Sequence, residues 1–260
     1  MSKAMFSHAE AYQRFMGRWS ERLAPEFVRF CDVREGDQVL DVGCGTGVLS
    51  RAVHAAAPTA NVLGVDPTPE FLESAARYAD DHLRFERGRA EQLPCADASF
   101  DKVLSSLVLN FVPDRPAALA EMKRATRAGG LIAACVWDYG GMEMLDVFWQ
   151  EAAALDPKAA ARDEALMPLC KRGELATFWR EQRLTAVEDT ALDITLEFAS
   201  FDDYWAPFLL GQGPAGMYAA QLSQAASAAL RDRLRARLER GTEPIRMSAR
   251  AWAVKGQSTQ

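Results

Sequence analysis

The sequence predicts an α/β fold built on a doubly wound, mostly parallel sheet, and three observations carry that reading. From Gln38 to Asp138 short β-branched or apolar runs alternate with amphipathic stretches, the pattern of consecutive βα units. The turn Asp41-Val42-Gly43-Cys44-Gly45-Thr46-Gly47 joins the first run to the first helix and puts glycines where backbone must pass close to a ligand. Asp66 closes the second run about 20 residues on, where open α/β sheets place a carboxylate for ribose hydroxyls.

In chain order, Glu10 to Phe30 reads as helical with a break near Gly17 and Pro25, lying over one sheet edge. Strands follow at Gln38–Val42, Asn61–Val65, Leu83–Glu86, Asp101–Ser105 and Leu131–Trp137, with helices at Val48–Ala57, Pro69–Ala79 and Arg115–Arg127. Gly129-Gly130 is read as the stop of the last of these helices. Beyond it, Gly141–Leu155, Gly173–Gln182 and Gln221–Glu239 read as helices, and Ala186–Phe198 and Pro244–Val254 as strands. Ser200–Met217, rich in aromatics and interrupted by Gly211, Gly213, Pro214 and Gly216, reads as a loop or lid over a ligand.

Bulk properties narrow the classes. A chain of 260 residues, 49% hydrophobic and 25% charged, fits one large domain with a substantial core. Its net charge of -6 opposes a role in gripping nucleic acid phosphates. Arg231, Arg233, Arg235, Arg237 and Arg240, interleaved with leucines, read as a solvated helix face. The longest apolar stretch, Leu131–Trp137, is too short to span a bilayer, so a cytoplasmic location without a membrane span is expected. Five scattered cysteines with no Cys-x-x-Cys pair, and three histidines, indicate neither a disulfide framework nor a metal site.

Spacing and charge narrow the ligand of the glycine turn. A dinucleotide fingerprint needs a third glycine where Val48 stands, and a P-loop needs a lysine after Gly47. Asp41 beside the turn would repel a pyrophosphate and attract a ligand carrying an ammonium and a sulfonium, as S-adenosylmethionine does. Val39–Leu49 resembles motif I of the class I methyltransferases, and Phe111–Gly130 resembles the stretch before the fifth strand in the type 11, ubiquinone and menaquinone methyltransferase-like branch.

That resemblance implies a seven-stranded sheet with helices on both faces, an antiparallel last strand and a helical lid insertion. It also implies transfer of a methyl group from S-adenosylmethionine, leaving S-adenosylhomocysteine, to a small-molecule acceptor. Asp41, Gly43, Cys44, Gly45 and Gly47 would cradle the cofactor, and Asp66 with Pro67 beside it would meet the ribose. Around the adenine the family carries an acid before an alanine; here Arg89 replaces the acid, leaving the backbone of Ala90 and, as a substitute, Glu91. Ser105, Leu107 and Asn110 would border the methionine part. Arg18, whose planar guanidinium suits a carboxylate, and Tyr12 would close over the cofactor from the lead-in segment.

Candidates for a general base, needed only if the acceptor must lose a proton before attack, are His8, Asp138, Tyr139, Asp203 and Tyr204. Trp137, Phe148, Trp149, Trp205 and Phe208 suit an apolar or aromatic acceptor, and a buried core accounts for them equally. The chain is read as a single domain with an N-terminal helical cap (1–30), a cofactor-binding core (31–140) and a remainder carrying the acceptor-binding elaboration (141–260). An NAD(P)-linked oxidoreductase and a non-catalytic S-adenosylmethionine-binding regulator are the rival functions. The acceptor's identity and the oligomeric state have no signature in the residues.

Overall fold

The computed structural model describes residues 13–163, 166–239, 241 and 243–259. Seven strands form one sheet: β1 Gln38–Val42, β2 Asn61–Asp66, β3 Leu83–Arg87, β4 Phe100–Ser106, β5 Thr126–Trp137, β6 Thr185–Phe198 and β7 Ile245–Gln257, in the order β3-β2-β1-β4-β5-β7-β6. The pairs β1–β2, β1–β4, β2–β3 and β4–β5 are parallel. Val39, Leu40, Val42, Val103, Leu104 and Ile132 through Val136 are all fully buried, as strands of a parallel sheet covered on both faces must be.

β7 runs against the others. Gly129 N–H bonds Ser258 O and Asp138 N–H bonds Arg250 O, so its numbering falls as that of β5 rises. The final-strand direction implied by the family resemblance is therefore present.

Gly129 and Gly130 do a different job from the one read in the sequence. The helix Arg115–Ala125 (α4; α1 to α3 are Arg18–Phe30, Val48–Ala56 and Pro69–Ala75) ends before them, and both lie inside β5. The register jumps from Phe100↔Thr126 to Lys102↔Leu131, leaving Asp101 opposite a bulge. Gly129 sits there at φ 74°, and a Cβ on Gly130 would fall 2.9 Å from Asp101 O. The helix start was legible: Asp114 caps it by accepting from Ala117 N–H at 3.0 Å. Near the N-terminus, Gln13–Gly17 forms a π-helical turn that runs into α1, and Pro25 lies inside that helix without ending it.

The chain divides into two compact units. One comprises Ser20–Val136, Pro168–Leu192 and Ala251–Gln260, and includes α2, α3, α4 and the helix α6 (Glu174–Glu181), with α5 being Glu143–Leu155. Trp179 on α6 is fully buried and donates its indole N–H to Ile132 O at 3.2 Å.

The other unit comprises Met1–Trp19, Trp137–Met167 and Asp193–Arg250. The stretch read as a loop or lid is helical here: α7 (Phe201–Trp205), a 3-10 turn (Ala206–Leu210) and α8 (Gly213–Gln221), followed by α9 (Gln224–Leu238). Its aromatics are core residues of this unit. Phe208 stacks on Phe148 at 4.5 Å, and Trp205 and Tyr218 complete the shell around Phe148 at 6.5 and 6.2 Å. The arginines of α9 form surface ion pairs, Arg231 and Arg235 with Asp202, Arg233 and Arg237 with Glu151. Among the described residues, no helix is long and apolar enough to cross a membrane, and no group of three or more His, Cys, Asp or Glu could hold a metal ion.

Candidate functional site

The strand order reverses between β1 and β4, and this is the point at which open α/β sheets leave a crevice beyond the carboxyl ends of their strands. The carboxyl ends of β1, β2, β3 and β4 and the segments after them therefore share one end of the sheet. They carry Asp41 to Gly47, Asp66, Arg89 to Glu91, and Ser105 to Asn110.

The glycine turn is held by its backbone. Gly43 and Cys44 N–H both donate to Val65 O, at 2.7 and 3.0 Å, and Gly47 N–H donates to Cys44 O at 2.8 Å. Gly43, Gly45 and Gly47 have φ of 77°, 53° and 82°, a left-handed run that side chains oppose. Crowding differs along the run. A Cβ on Gly43 would meet Val108 at 2.6 Å, whereas a Cβ on Gly45 would have no heavy atom within 4 Å. The Gly45 face of the turn is open.

Two buried carboxylates accompany this turn, Asp66 bonded to Gly45 and Asp41 two residues before Gly43. Asp66, only 7% exposed, accepts from Gly45 N–H at 3.0 Å and from Thr68 N–H at 2.8 Å, one bond to each oxygen. Asp41 is 1% exposed; one oxygen accepts from Ser50 Oγ at 2.6 Å and the other, Oδ1, has no hydrogen-bond partner. Burial pushes the Asp41 carboxyl up to about 7, against the lowering effect of the Ser50 hydrogen bond, and the neighbouring Asp66 adds to the rise. Burial raises Asp66 as well, opposed by its Thr68 and Gly45 bonds. Buried acceptors without a donor are rare in native structures, and each calls for a reason.

The remaining sequence candidates fall on the same rim. Ser105 Oγ donates to Val42 O at 2.9 Å, tying β4 to β1. Leu107 holds φ 63°, outside the range a leucine prefers, and its N–H bonds Cys135 O at 2.8 Å. Asn110 is buried in the 3-10 turn Leu109–Phe111. Cys44 is buried, and burial raises its thiol. Pro67 is exposed beside Asp66. Arg89, Ala90 and Glu91 lie in a turn closed by an Arg89↔Gln92 bridge, where Arg89 points a largely exposed side chain toward Glu91 at 3.4 Å.

Residues that sequence reasoning passed over complete the turn's support: Ser50 on α2, Thr68, Val108, and Phe85 with Gly64. A Cβ on Gly64 would strike the Phe85 ring at 2.6 Å. A glycine inside an apolar strand run is itself a signal of close approach.

The other candidates belong to the second unit and to another set of contacts. The Arg18 guanidinium holds both oxygens of Asp203, at 2.9 and 3.1 Å, and the carbonyl of Glu197 at 2.6 Å, while lying over the Phe198 ring. In this structure the guanidinium that the sequence reading gave to the cofactor carboxylate pairs with Asp203 and the Glu197 carbonyl. Asp203 also accepts from Ala199 N–H, and its own N–H bonds the capping hydroxyl of Ser200. Tyr204 is fully buried with its hydroxyl donating to Met144 O at 3.0 Å, and burial raises the phenol. Asp138 and Tyr139 follow β5, with Asp138 half-buried and Tyr139 buried. His8 and Tyr12 lie outside the described residues.

The sequence matches the family described as "Methyltransferase domain" over residues 40–134, the span that holds every carboxylate and glycine of this rim. It is 39% identical over 116 residues to the malonyl-[acyl-carrier protein] O-methyltransferase of Serratia marcescens, covering 45% of this chain and 44% of that protein. The enzyme of that name from Pectobacterium atrosepticum is 34% identical over 151 residues, 58% of each chain. The chain thus spans about half the length of these curated relatives. Among solved structures, a geranyl diphosphate methyltransferase in complex with SAM superposes with a TM-score of 0.53 at 17% identity, over 93% of this chain and 86% of that one. The fold is that of the class I methyltransferases.

Proposed function

We propose that this chain binds S-adenosylmethionine at the carboxyl ends of β1, β2 and β4 and passes its methyl group to a small organic acceptor. The observation that carries this reading is the buried Asp41 carboxylate with one oxygen unpartnered beside an open left-handed glycine turn. Such an acceptor suits a ligand with fixed positive charge and opposes a pyrophosphate, which argues against the dinucleotide alternative.

Asp66, already oriented by two backbone N–H groups, keeps lone pairs for ribose hydroxyls. The Gly45 face, Leu107 and Asn110 would hold the rest of the ligand, and the backbone of Ala90 the adenine. When bound, S-adenosylmethionine supplies an activated methyl group on a sulfonium. The protein's task is then positioning and exclusion of water, with a base required only for acceptors that must lose a proton. Asp138 and Tyr139, at the carboxyl end of β5, are the candidates this reading favours among His8, Asp138, Tyr139, Asp203 and Tyr204.

The finer placing in the type 11, ubiquinone and menaquinone methyltransferase-like branch belongs to this proposal, as does the division into a cap (1–30), a cofactor core (31–140) and an acceptor-binding remainder (141–260). The name of the Serratia relative makes an acidic acceptor methylated on oxygen one class to screen.

Calorimetry tests the reading. The protein should bind S-adenosylhomocysteine, and Asp66→Ala should lose about 2 to 3 kcal/mol of that affinity, the worth of a charge-assisted contact. Binding of NADH without S-adenosylhomocysteine overturns it.

A further inference from the structure

Arg124, in the last turn of α4, spends every N–H of its guanidinium on one acid and one stretch of chain. Nε and Nη2 donate to the two oxygens of Glu121 at 2.7 and 2.8 Å, Nη1 donates to Cys95 O and Asp97 Oδ1 at 2.8 Å each, and Nη2 also reaches Leu93 O at 3.2 Å. Glu121 Oε2 accepts from Leu93 N–H at 2.9 Å, so Leu93 has its N–H held by the carboxylate and its carbonyl by the guanidinium. Ala98 N–H and Ser99 N–H bond Arg124 O and Ala125 O, which fastens the rest of the stretch to the same helix end.

This stretch is the far end of the turn that follows β3. Gln92 N–H closes the turn on Arg89 O at 3.0 Å, leaving Ala90 and Glu91 at its tip. At the near end Gly88 N–H bonds Asp66 O at 3.2 Å, and a Cβ on Gly88 would strike Pro94 at 2.6 Å, so the two ends of the turn meet. In the order β3-β2-β1 the glycine turn lies on one side of Asp66 and the Ala90 turn on the other. A nucleoside whose ribose is held by Asp66 and whose 5′ substituent lies along the glycine turn carries its base toward Ala90.

We propose that Arg124 and Glu121 are positioning residues for the adenine ring: they hold the Ala90 turn at a fixed distance from Asp66, so that the Ala90 N–H meets the acceptor nitrogen N1 of the base. The inference rests on the S-adenosylmethionine reading above. A backbone N–H discriminates only through where its loop is held, and Arg89, having no acceptor, leaves the adenine amino group to other partners. The planar fork of Arg124 suits the holding role. A lysine keeps the charge but cannot span Leu93 O, Cys95 O and both Glu121 oxygens together.

S-adenosylhomocysteine and S-inosylhomocysteine form the matched probe, since replacing the 6-amino group by oxygen puts a hydrogen on N1 and turns it from acceptor to donor. Calorimetry with both ligands, and the melting temperature, are measured on wild type, Arg124→Lys, Glu121→Gln and Arg127→Ala; the last removes the ion pair with Asp101 in the same unit and controls for general loss of stability. Wild type should prefer the adenosyl ligand by about tenfold or more, because an N–H facing an N–H leaves both unpaired. Arg124→Lys should bring that preference within about threefold by weakening the adenosyl ligand while the inosyl affinity hardly moves. Glu121→Gln should lower it in the same direction, and Arg127→Ala should keep it. Equal binding of the two ligands by wild type, a preference unchanged in whichever of Arg124→Lys and Glu121→Gln folds, equal weakening of both ligands, or a matching loss in Arg127→Ala overturns the proposal. Failure of both Arg124→Lys and Glu121→Gln to fold also overturns it, because the pair then serves stability. S-adenosylhomocysteine that does not bind wild type strikes the methyltransferase reading instead.

Discussion

Ser50 donates its hydroxyl to one oxygen of Asp41 at 2.6 Å, while the other oxygen of that buried carboxylate has no partner. The pair fixes the carboxylate's orientation at the end of β1 and leaves its charge unsatisfied.

That imbalance predicts a pH dependence. The Asp41 carboxyl titrates at about 7 in the folded protein, against about 3.9 in an unfolded chain. Between those values the folded state holds a proton the unfolded state has released, so this group's contribution to stability is lost as pH rises through about 7. Asp41→Asn should raise the melting temperature at pH 8 relative to wild type and remove most of that slope. Binding of a ligand that carries an ammonium and a sulfonium favours the ionised form, so wild-type affinity for S-adenosylmethionine should strengthen from pH 6 to pH 8, and that of the variant should not. Parallel pH profiles for the two proteins would refute the assignment.

The glycines of the turn should separate structural crowding from ligand space. Gly64→Ala drives a Cβ to 2.6 Å from the Phe85 ring and should destabilise the fold by about 1 to 3 kcal/mol, as overpacking does. Gly45→Ala meets open space and carries only the left-handed penalty, about 1 kcal/mol. It should nevertheless weaken S-adenosylhomocysteine binding more than Gly64→Ala. Denaturant unfolding and calorimetry on the two variants decide the order.

The contrast between these two glycines also shows what the sequence could reveal. The turn after β1 and Asp66 at the end of β2 were legible, because backbone conformation and strand-end position leave local signatures. Ser50 was not, since a serine one turn into a helix looks like any other until the chain folds it over Asp41. Gly129-Gly130 misled because a glycine pair marks a helix stop and a bulge with the same letters, and only the pairing of β4 with β5 distinguishes them. Ser200–Met217 misled for a related reason: its glycines and prolines punctuate short helices, and burial of Tyr204, Trp205 and Phe208 depends on partners such as Phe148 far away in sequence.

Arg18 and Asp203 should behave as a structural pair. Both are about one-third exposed, so a double-mutant cycle with Arg18→Ala and Asp203→Ala should give a coupling of about 1 kcal/mol or less. Arg18→Ala should then change the affinities for S-adenosylhomocysteine and methylthioadenosine, which lacks the carboxylate, by the same factor. A selective loss for S-adenosylhomocysteine would restore the carboxylate clamp and mean that ligand displaces Asp203.

Trp205 and Tyr204 test whether α7 is core or cover. Trp205 is 4% exposed and packs against Phe148 and Phe208, and Tyr204 anchors its hydroxyl to the Met144 carbonyl on α5. Trp205→Ala should cost about 3 to 5 kcal/mol, the usual toll for removing a large aromatic from a close-packed interior. For a chain of this size that is a fall in melting temperature of roughly 10 °C. Tyr204→Phe should cost only about 1 kcal/mol, one hydrogen bond, with no change in the pH dependence of any turnover, because a buried phenol held on a carbonyl takes no proton from an acceptor. Asp41, Gly45 and Asp66 all belong to the other compact unit, so the folded Trp205→Ala protein, measured well below its melting point, should bind S-adenosylhomocysteine within about threefold of wild type. A melting temperature that hardly moves would show that the Trp205 side chain leaves its aromatic neighbours in solution, and α7 would then be a moving cover.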